Sequence, residues 1–166
     1  AESELQEALA KVDASQVVID GDQVSLGTNQ EMDLGGIAKG YTSARVMEIF
    51  REYGITSGMV SLGGNVQTLN TRPDGKPWQI GIQNPNGQQG SLLAVLSVEN
   101  KAVITSGGYE RYFEEDGNTY IHILNPKTGY PADSGLVSVS IISENGMLAD
   151  ALSTSLYLME EEKAAE

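Results

Sequence analysis

The 166-residue sequence has no cysteine, a single histidine and few basic residues. Without cysteine it can form no disulfide, no zinc–thiolate site and no thiol nucleophile. Lys and Arg number 10 against 23 Asp and Glu, which gives a formal charge of -13. Because nucleic-acid binding depends on basic side chains that neutralise phosphates, we expect no nucleic-acid partner. No apolar run is long enough to span a bilayer.

The acidic composition also indicates how the protein would bind an anion. Its own field repels anionic substrates. A protein of this charge that handles phosphates should therefore recruit a cation, and its many oxygen ligands favour Mg²⁺. Length and a hydrophobic content of 40% suit one globular domain over residues 1–166.

The pattern of apolar residues predicts an α+β fold, in which helices pack on an antiparallel sheet. Helices are expected at 2–12, 37–53 and 147–159, the second of them capped by Gly54. Strands are expected at 17–19, 24–26, 58–62, 78–82, 92–98, 102–104, 120–124 and 136–142. Two small-residue segments, at 61–65 and 105–108, are interpreted as loops that let the backbone approach a flat or phosphorylated ligand, although bulges or turns explain them equally well.

The segment Asp33-Leu34-Gly35-Gly36-Ile37-Ala38-Lys39-Gly40 joins an extended stretch to a predicted helix. Backbone N–H groups at the start of that helix can hold a phosphate, and Lys39 adds a positive charge. The spacing is neither that of a Walker motif nor that of GxGxxG. On pattern alone, a plain turn that requires glycine is the better explanation.

Asp150 is the only charged residue between Gly146 and Met159. The predicted helix there is apolar around most of its circumference, so we expect it to be buried, and a buried carboxylate needs a partner or a metal. Thr154 follows four residues later, on the same helix face. One carboxylate, a hydroxyl and backbone carbonyls would suit a hard cation that keeps its waters. Pairing with a basic residue, or capping of a frayed helix start, explains Asp150 equally well.

His122 is the single histidine and falls in a predicted strand, Tyr120-Ile121-His122-Ile123-Leu124. Histidine can accept a proton near neutral pH, so His122 could deprotonate an attacking hydroxyl. Taken alone, a strand histidine of this kind is more often structural.

Taken together, these segments resemble the ApbE family of bacterial FAD:protein FMN transferases. Six stretches stand in the order found in that family: 33–41, Leu62-Gly63-Gly64-Asn65, Pro77-Trp78-Gln79-Ile80-Gly81-Ile82, Thr105-Ser106-Gly107-Gly108-Tyr109-Glu110-Arg111, 122–131 and Ala149-Asp150-Ala151-Leu152-Ser153-Thr154. The resemblance implies the tunnelling-type (T-fold) α+β architecture. It also implies that an N-terminal portion holding the adenine end of FAD lies outside this sequence.

The resemblance further implies roles for individual residues. Asp150 and Thr154 match the side-chain ligands of Mg²⁺, and Gly36 matches the position whose backbone carbonyl binds it. Asp150 and His122 are the expected catalytic residues. The remaining residues match or are expected to supply the FAD contacts: Asp33, Lys39, Gly63, Gly64, Thr105, Ser106, Gly107 and Ile123.

The activity implied is Mg²⁺-dependent transfer of the FMN half of FAD to a Ser or Thr hydroxyl of an acceptor protein, with release of AMP. The acceptor would carry a Ser/Thr-Gly-Ala-Ser/Thr motif, which does not occur in this chain. The alternatives are hydrolysis of FAD to FMN and AMP, and flavin binding without turnover. We expect an extracytoplasmic protein that a lipid anchor outside this chain attaches to a membrane, with a cytoplasmic location as the alternative.

Overall fold

The computed structural model describes residues 2–88, 90–159 and 161–164, apart from the side chain of Glu110. Its α-helices are α1 (Glu2–Leu9), α2 (Ala38–Glu52), α3 (Gly146–Tyr157) and α4 (Glu161–Ala164), and short 3₁₀ helices lie at Ala14–Gln16 and Gly108–Glu110. None of the helices within these ranges is long and apolar enough to cross a membrane.

The described ranges contain ten strands, and every pairing between these strands is antiparallel. They are β1 (Val18–Asp20), β2 (Gln23–Ser25), β3 (Gly58–Leu62), β4 (Asn65–Leu69), β5 (Trp78–Gln83), β6 (Leu92–Val98), β7 (Ala102–Gly107), β8 (Tyr112–Glu115), β9 (Asn118–Ile121) and β10 (Ser138–Ser143). Four strands form a sheet in the order β10-β7-β4-β3, and the others pair as the ribbons β1–β2, β5–β6 and β8–β9. The predicted α+β class is confirmed.

Strand β7 shows how the layers are arranged. Its side chains alternate between the two faces of the sheet. Ala102 and Ile104 pack with Ala149 of α3, whereas Val103 packs with Ile80 of β5. Helix α2 contacts β3 and β4, and α3 contacts β7 and β10. The two helices therefore cover one face of the four-stranded sheet, and the β5–β6 ribbon covers the other.

The turn between β3 and β4 is short. Gly63 and Gly64 have φ values of +54° and +89°, and Leu62 pairs directly with Asn65. A two-residue hairpin turn with positive φ at both positions is the geometry that Gly-Gly favours. The predicted loop at Gly63-Gly64 is therefore a tight turn, and it fixes Asn65 as the first residue of β4.

Several predicted boundaries are corrected by the structure. The loop predicted at Thr105-Ser106-Gly107 is wrong, because these residues extend β7 and pair with β10. The strand predicted at 120–124 ends at Ile121, so His122 lies just beyond β9. Strands β4 and β8 were not predicted. Helix α2 was predicted, and Gly54 follows its C-cap residue Tyr53 with a φ of +72°.

Candidate active site

Asp150 lies on α3 with 3% of its surface exposed. Its Oδ2 accepts a 2.7 Å hydrogen bond from the backbone N–H of Gly40, and its Oδ1 accepts a 3.0 Å hydrogen bond from Nδ2 of Asn65. None of the ion pairs found among the described residues includes Asp150. The expected burial is confirmed, and the alternative that a Lys or Arg partner neutralises this carboxylate is wrong.

The contact between Asp150 and Gly40 depends on glycine. Gly40 is the third residue of α2, in the turn whose N–H groups have no partner within the helix. A Cβ at Gly40 would lie 2.3 Å from the carbonyl oxygen of Gly146 and 2.6 Å from Cβ of Asp150. Glycine thus lets α2 and α3 approach closely, and the positive end of α2 stabilises the negative charge of Asp150.

A group of hydroxyls lies one helical turn beyond Asp150. Oγ of Ser106 is 2.8 Å from Oγ of Ser153 and 3.1 Å from Oγ1 of Thr154. Ser106 belongs to the face of β7 that packs on α3. Thr105 lies on the opposite face, where its hydroxyl is 2.7 Å from that of Ser140. The structure thus joins Ser106 to Thr154, but it does not bring Thr105 to this cluster.

A further oxygen beside Asp150 has no partner. Asn65 is 1% exposed, and its Oδ1 is buried without a hydrogen bond among the described residues. The carboxylate of Asp150, this amide oxygen and the hydroxyl of Thr154, one helical turn further along α3, are all hard oxygen donors. No group of three or more His, Cys, Asp or Glu occurs in the part of the chain that the structure describes. The residues fit Mg²⁺, which binds through one or two carboxylates and keeps several waters.

The bend before α2 carries the other predicted ligands. Asp33 is exposed, and its Oδ1 accepts a hydrogen bond from the backbone N–H of Gly35. Gly36 precedes the N-cap residue of α2, and Lys39 is half-buried in the first turn of that helix. The Gly40–Asp150 hydrogen bond holds the first turn of α2, which follows this bend, against α3. Within the described residues no hydrogen bond joins Gly36 to Asp150, so its role as a metal ligand stays a prediction.

His122 is exposed, and its ring is oriented by the backbone. Nδ1 lies 3.1 Å from the carbonyl oxygen of Arg111. Because a carbonyl only accepts, Nδ1 carries the proton, and in the neutral ring the lone pair is on Nε2. The next residue, Ile123, is 7% exposed, and its carbonyl accepts a hydrogen bond from the N–H of Ala132.

A cavity of about 530 Å³ lies between the β8–β9 ribbon and the segment 132–137, close to the end of α3. Its lining includes Tyr109, Tyr112, Ile121 and Tyr157. Burial raises the pKa of the Tyr157 hydroxyl, although the N–H of Gly108 donates to its oxygen and acts in the opposite direction. Gly108 thus connects the end of α3 with the strand that precedes His122.

The two expected catalytic residues do not meet directly. Among the described residues, no hydrogen bond or ion pair joins His122 to Asp150. The connection runs through the segment 106–108, which contacts Thr154 at one end and Ile121 at the other.

Two residues of the Asp150 cluster were not predicted as site residues. Asn65 follows a Gly-Gly pair, and a Gly-Gly pair between apolar runs is a hairpin signal that would have placed it at the start of a strand. Gly40 gave no such signal. Its function depends on contacts with Gly146 and Asp150, which lie more than a hundred positions further along the chain.

Comparison with known protein families gives a match over the whole sequence. The profile of the ApbE family covers residues 1–166. The chain belongs to the ApbE family. The FAD:protein FMN transferase of Klebsiella pneumoniae (strain 342) is 37% identical over 164 residues, which are 97% of this chain and 50% of the relative. That of Haemophilus influenzae is 36% identical over 159 residues, 87% of this chain and 46% of the relative.

Solved structures of the ApbE family have the same fold. The ApbE protein of Thermotoga maritima superposes with a TM-score of 0.91 at 38% identity, over 99% of this chain and 54% of that protein. The flavin transferase ApbE of Vibrio cholerae gives a TM-score of 0.87 at 33% identity, over 99% of this chain and 52% of that protein. The chain thus spans about half the length of the relatives it matches.

Proposed function

We propose that this ApbE-family chain carries the Mg²⁺ site of an enzyme that transfers the FMN half of FAD to a Ser or Thr hydroxyl of an acceptor protein. The environment of Asp150 supports this proposal: its buried carboxylate is held by neutral N–H groups, and no basic residue among those described forms an ion pair with it. The curated relatives named FAD:protein FMN transferase support the reaction.

Asp150 and Thr154 would hold Mg²⁺ through their side chains, and Gly36 through its backbone carbonyl. When bound, the ion neutralises charge on the diphosphate of FAD, which a chain with a formal charge of -13 cannot do with its own side chains alone. Gly40 and Asn65 fix the orientation of the Asp150 carboxylate.

The flavin nucleotide would be held by residues around the same cluster. Lys39 at the start of α2 and Asp33 in the bend before it are the proposed polar contacts. Five further proposed contacts come from small residues that allow the ligand to approach the backbone: Gly63, Gly64, Thr105, Ser106 and Gly107. The last is the buried residue that follows His122, Ile123. A contact with Thr105 is possible only if the ligand also reaches the face of the sheet opposite the Asp150 cluster.

His122 is the proposed general base. Its Nδ1–H is held by the Arg111 carbonyl, so Nε2 of the neutral ring can accept the proton of the acceptor hydroxyl. The hydroxyl oxygen forms a bond to the phosphorus of the FMN half. The bond from that phosphorus to the bridging oxygen breaks, and the bridging oxygen leaves with AMP.

The test uses the 166-residue chain, FAD, Mg²⁺ and a peptide containing Thr-Gly-Ala-Ser, with a control peptide in which Ala replaces the Thr and the Ser. Peptide-linked flavin that appears together with AMP, and only with the hydroxyl-bearing peptide, supports the proposal. AMP released at the same rate with either peptide would instead show an FAD pyrophosphatase. Bound FAD that stays intact would show a flavin-binding module without turnover.

A further inference from the structure

Asn65 contacts the carboxylate of Asp150 from the first position of β4. The Gly63-Gly64 turn fixes that position, and the side chain is almost completely buried. Nδ2 donates to Oδ1 of Asp150 over 3.0 Å. The orientation of the amide follows from chemistry, because a carboxylate only accepts hydrogen bonds and therefore selects the nitrogen end.

This orientation leaves the amide oxygen of Asn65 beside the carboxylate, buried and without a hydrogen bond among the described residues. Other buried polar side chains on β4 are paired: Gln67 accepts from Ser43, and Thr68 exchanges hydrogen bonds with the backbone of Lys101. Burial of an unpaired acceptor next to a carboxylate is unfavourable. The hydrogen bonds of Gln67 and Thr68 within the fold account for the burial of their polar groups. The fold offers no such account for the buried oxygen of Asn65.

We infer that Asn65 is a positioning residue for a hydrated divalent cation, an inference that rests on the proposed function and deepens it. Its N–H group holds one oxygen of Asp150 in place. Its unpaired oxygen accepts a hydrogen bond from a water carried by the cation, since Mg²⁺ keeps several waters in protein sites. Partners of this kind orient the direct ligands and strengthen metal binding.

The experiment measures thermal unfolding of the chain during titration with Mg²⁺ alone, without flavin. A cation that binds only the folded state raises the melting temperature by an amount that grows with the logarithm of its concentration divided by its Kd. The variants are Asn65→Leu, which keeps the volume but removes both polar groups, and Asn65→Asp, which replaces the N–H group by a second carboxylate oxygen. Thr68→Val is the matched control, because Thr68 is equally buried on the same strand but contacts Lys101 instead of Asp150.

The inference predicts that Asn65→Leu needs about 10- to 100-fold more Mg²⁺ than the wild type for the same rise in melting temperature. Asn65→Asp should melt below the wild type without Mg²⁺, because two carboxylates then face each other, and should be stabilised more by Mg²⁺. Thr68→Val should also melt lower, but with the Mg²⁺ dependence of the wild type. A structural role of Asn65 alone would leave that dependence unchanged in Asn65→Leu as well as in Thr68→Val.

The outcomes separate this inference from the proposed function. A wild-type Mg²⁺ dependence in Asn65→Leu overturns the inference and leaves the proposed function standing. If Asn65→Leu does not fold, a wild-type dependence in Asn65→Asp overturns it in the same way. If the wild type itself is not stabilised by Mg²⁺, both the inference and the proposed metal site fail.

Discussion

The backbone N–H of Gly40 donates a 2.7 Å hydrogen bond to Oδ2 of Asp150, and so joins two residues 110 positions apart. This bond connects the first turn of α2 with the middle of α3. The bend that carries Asp33 and Gly36 leads directly into α2, so the same bond holds the helical turn that follows the bend against α3. A site at the double-glycine bend and the last long helix therefore depends on how closely the two helices pack.

The packing at Gly40 predicts the effect of one added methyl group. Gly40→Ala should lower the free energy of unfolding by about 1–3 kcal/mol, because its Cβ would overlap Gly146 and Asp150. Gly36→Ala is the control, since a Cβ there meets nothing within 4 Å, and it should change the free energy by no more than about 0.5 kcal/mol. Denaturant unfolding measures both values. Equal effects of the two substitutions would contradict the close approach of α2 and α3.

The orientation of His122 predicts a difference between catalysis and binding. His122→Ala should slow FMN transfer by about 10²- to 10⁴-fold and weaken flavin binding much less, because a general base acts on the transition state. His122→Asn is a stricter variant, since its amide can still donate to the carbonyl of Arg111 but cannot take a proton. Single-turnover kinetics and fluorescence titration measure the two properties. Equal losses in rate and affinity would assign His122 to packing.

The burial of Tyr157 predicts how the free energy of unfolding changes at high pH. Burial raises its pKa above the ordinary value of 10.0 in the folded state. A raised folded pKa means that the neutral hydroxyl stabilises the fold below pH 10, and that this contribution is lost as the pH rises through the folded pKa. Urea unfolding between pH 8 and about 11 should therefore show a shallower alkaline loss of stability in Tyr157→Phe than in the wild type.

The control for this experiment is Tyr53→Phe, because the side chain of Tyr53 is 80% exposed. Its alkaline loss of stability should equal that of the wild type. If Tyr157→Phe and Tyr53→Phe lose stability with the same slope, burial of Tyr157 does not contribute to the pH dependence.

The sequence predicted those parts of the fold in which apolar periodicity and turn residues agree. Helix α2 shows this, since its apolar stripe and Gly54 define both its face and its end. Strand β4 was missed because Asn65, Gln67 and Thr68 interrupt the apolar pattern. These polar residues are buried only because distant groups on α3, α2 and the Lys101 backbone bind them, and local pattern carries no information about such partners.

The candidate site was predicted in the same uneven way. Asp150 and Thr154 could be placed on one helix face from their spacing, and the burial of Asp150 followed from its apolar neighbours. Its contacts with Gly40 and Asn65 could not be predicted, because they depend on how α2, α3 and β4 pack. Thr105 and Ser106 point to opposite faces of the sheet because neighbouring residues of a strand alternate. The sequence analysis missed this because it assigned both residues to a loop.

In the proposed function, Asp150 binds a divalent cation together with Thr154. The most direct test is anomalous diffraction from crystals of this chain soaked with Mn²⁺, compared with crystals of Asp150→Asn treated in the same way. We predict a single Mn²⁺ peak in direct contact with the Asp150 carboxylate and the Thr154 hydroxyl, and no such peak in the variant. A wild-type crystal with no Mn²⁺ at Asp150, or a variant that retains the same peak, would contradict the claim.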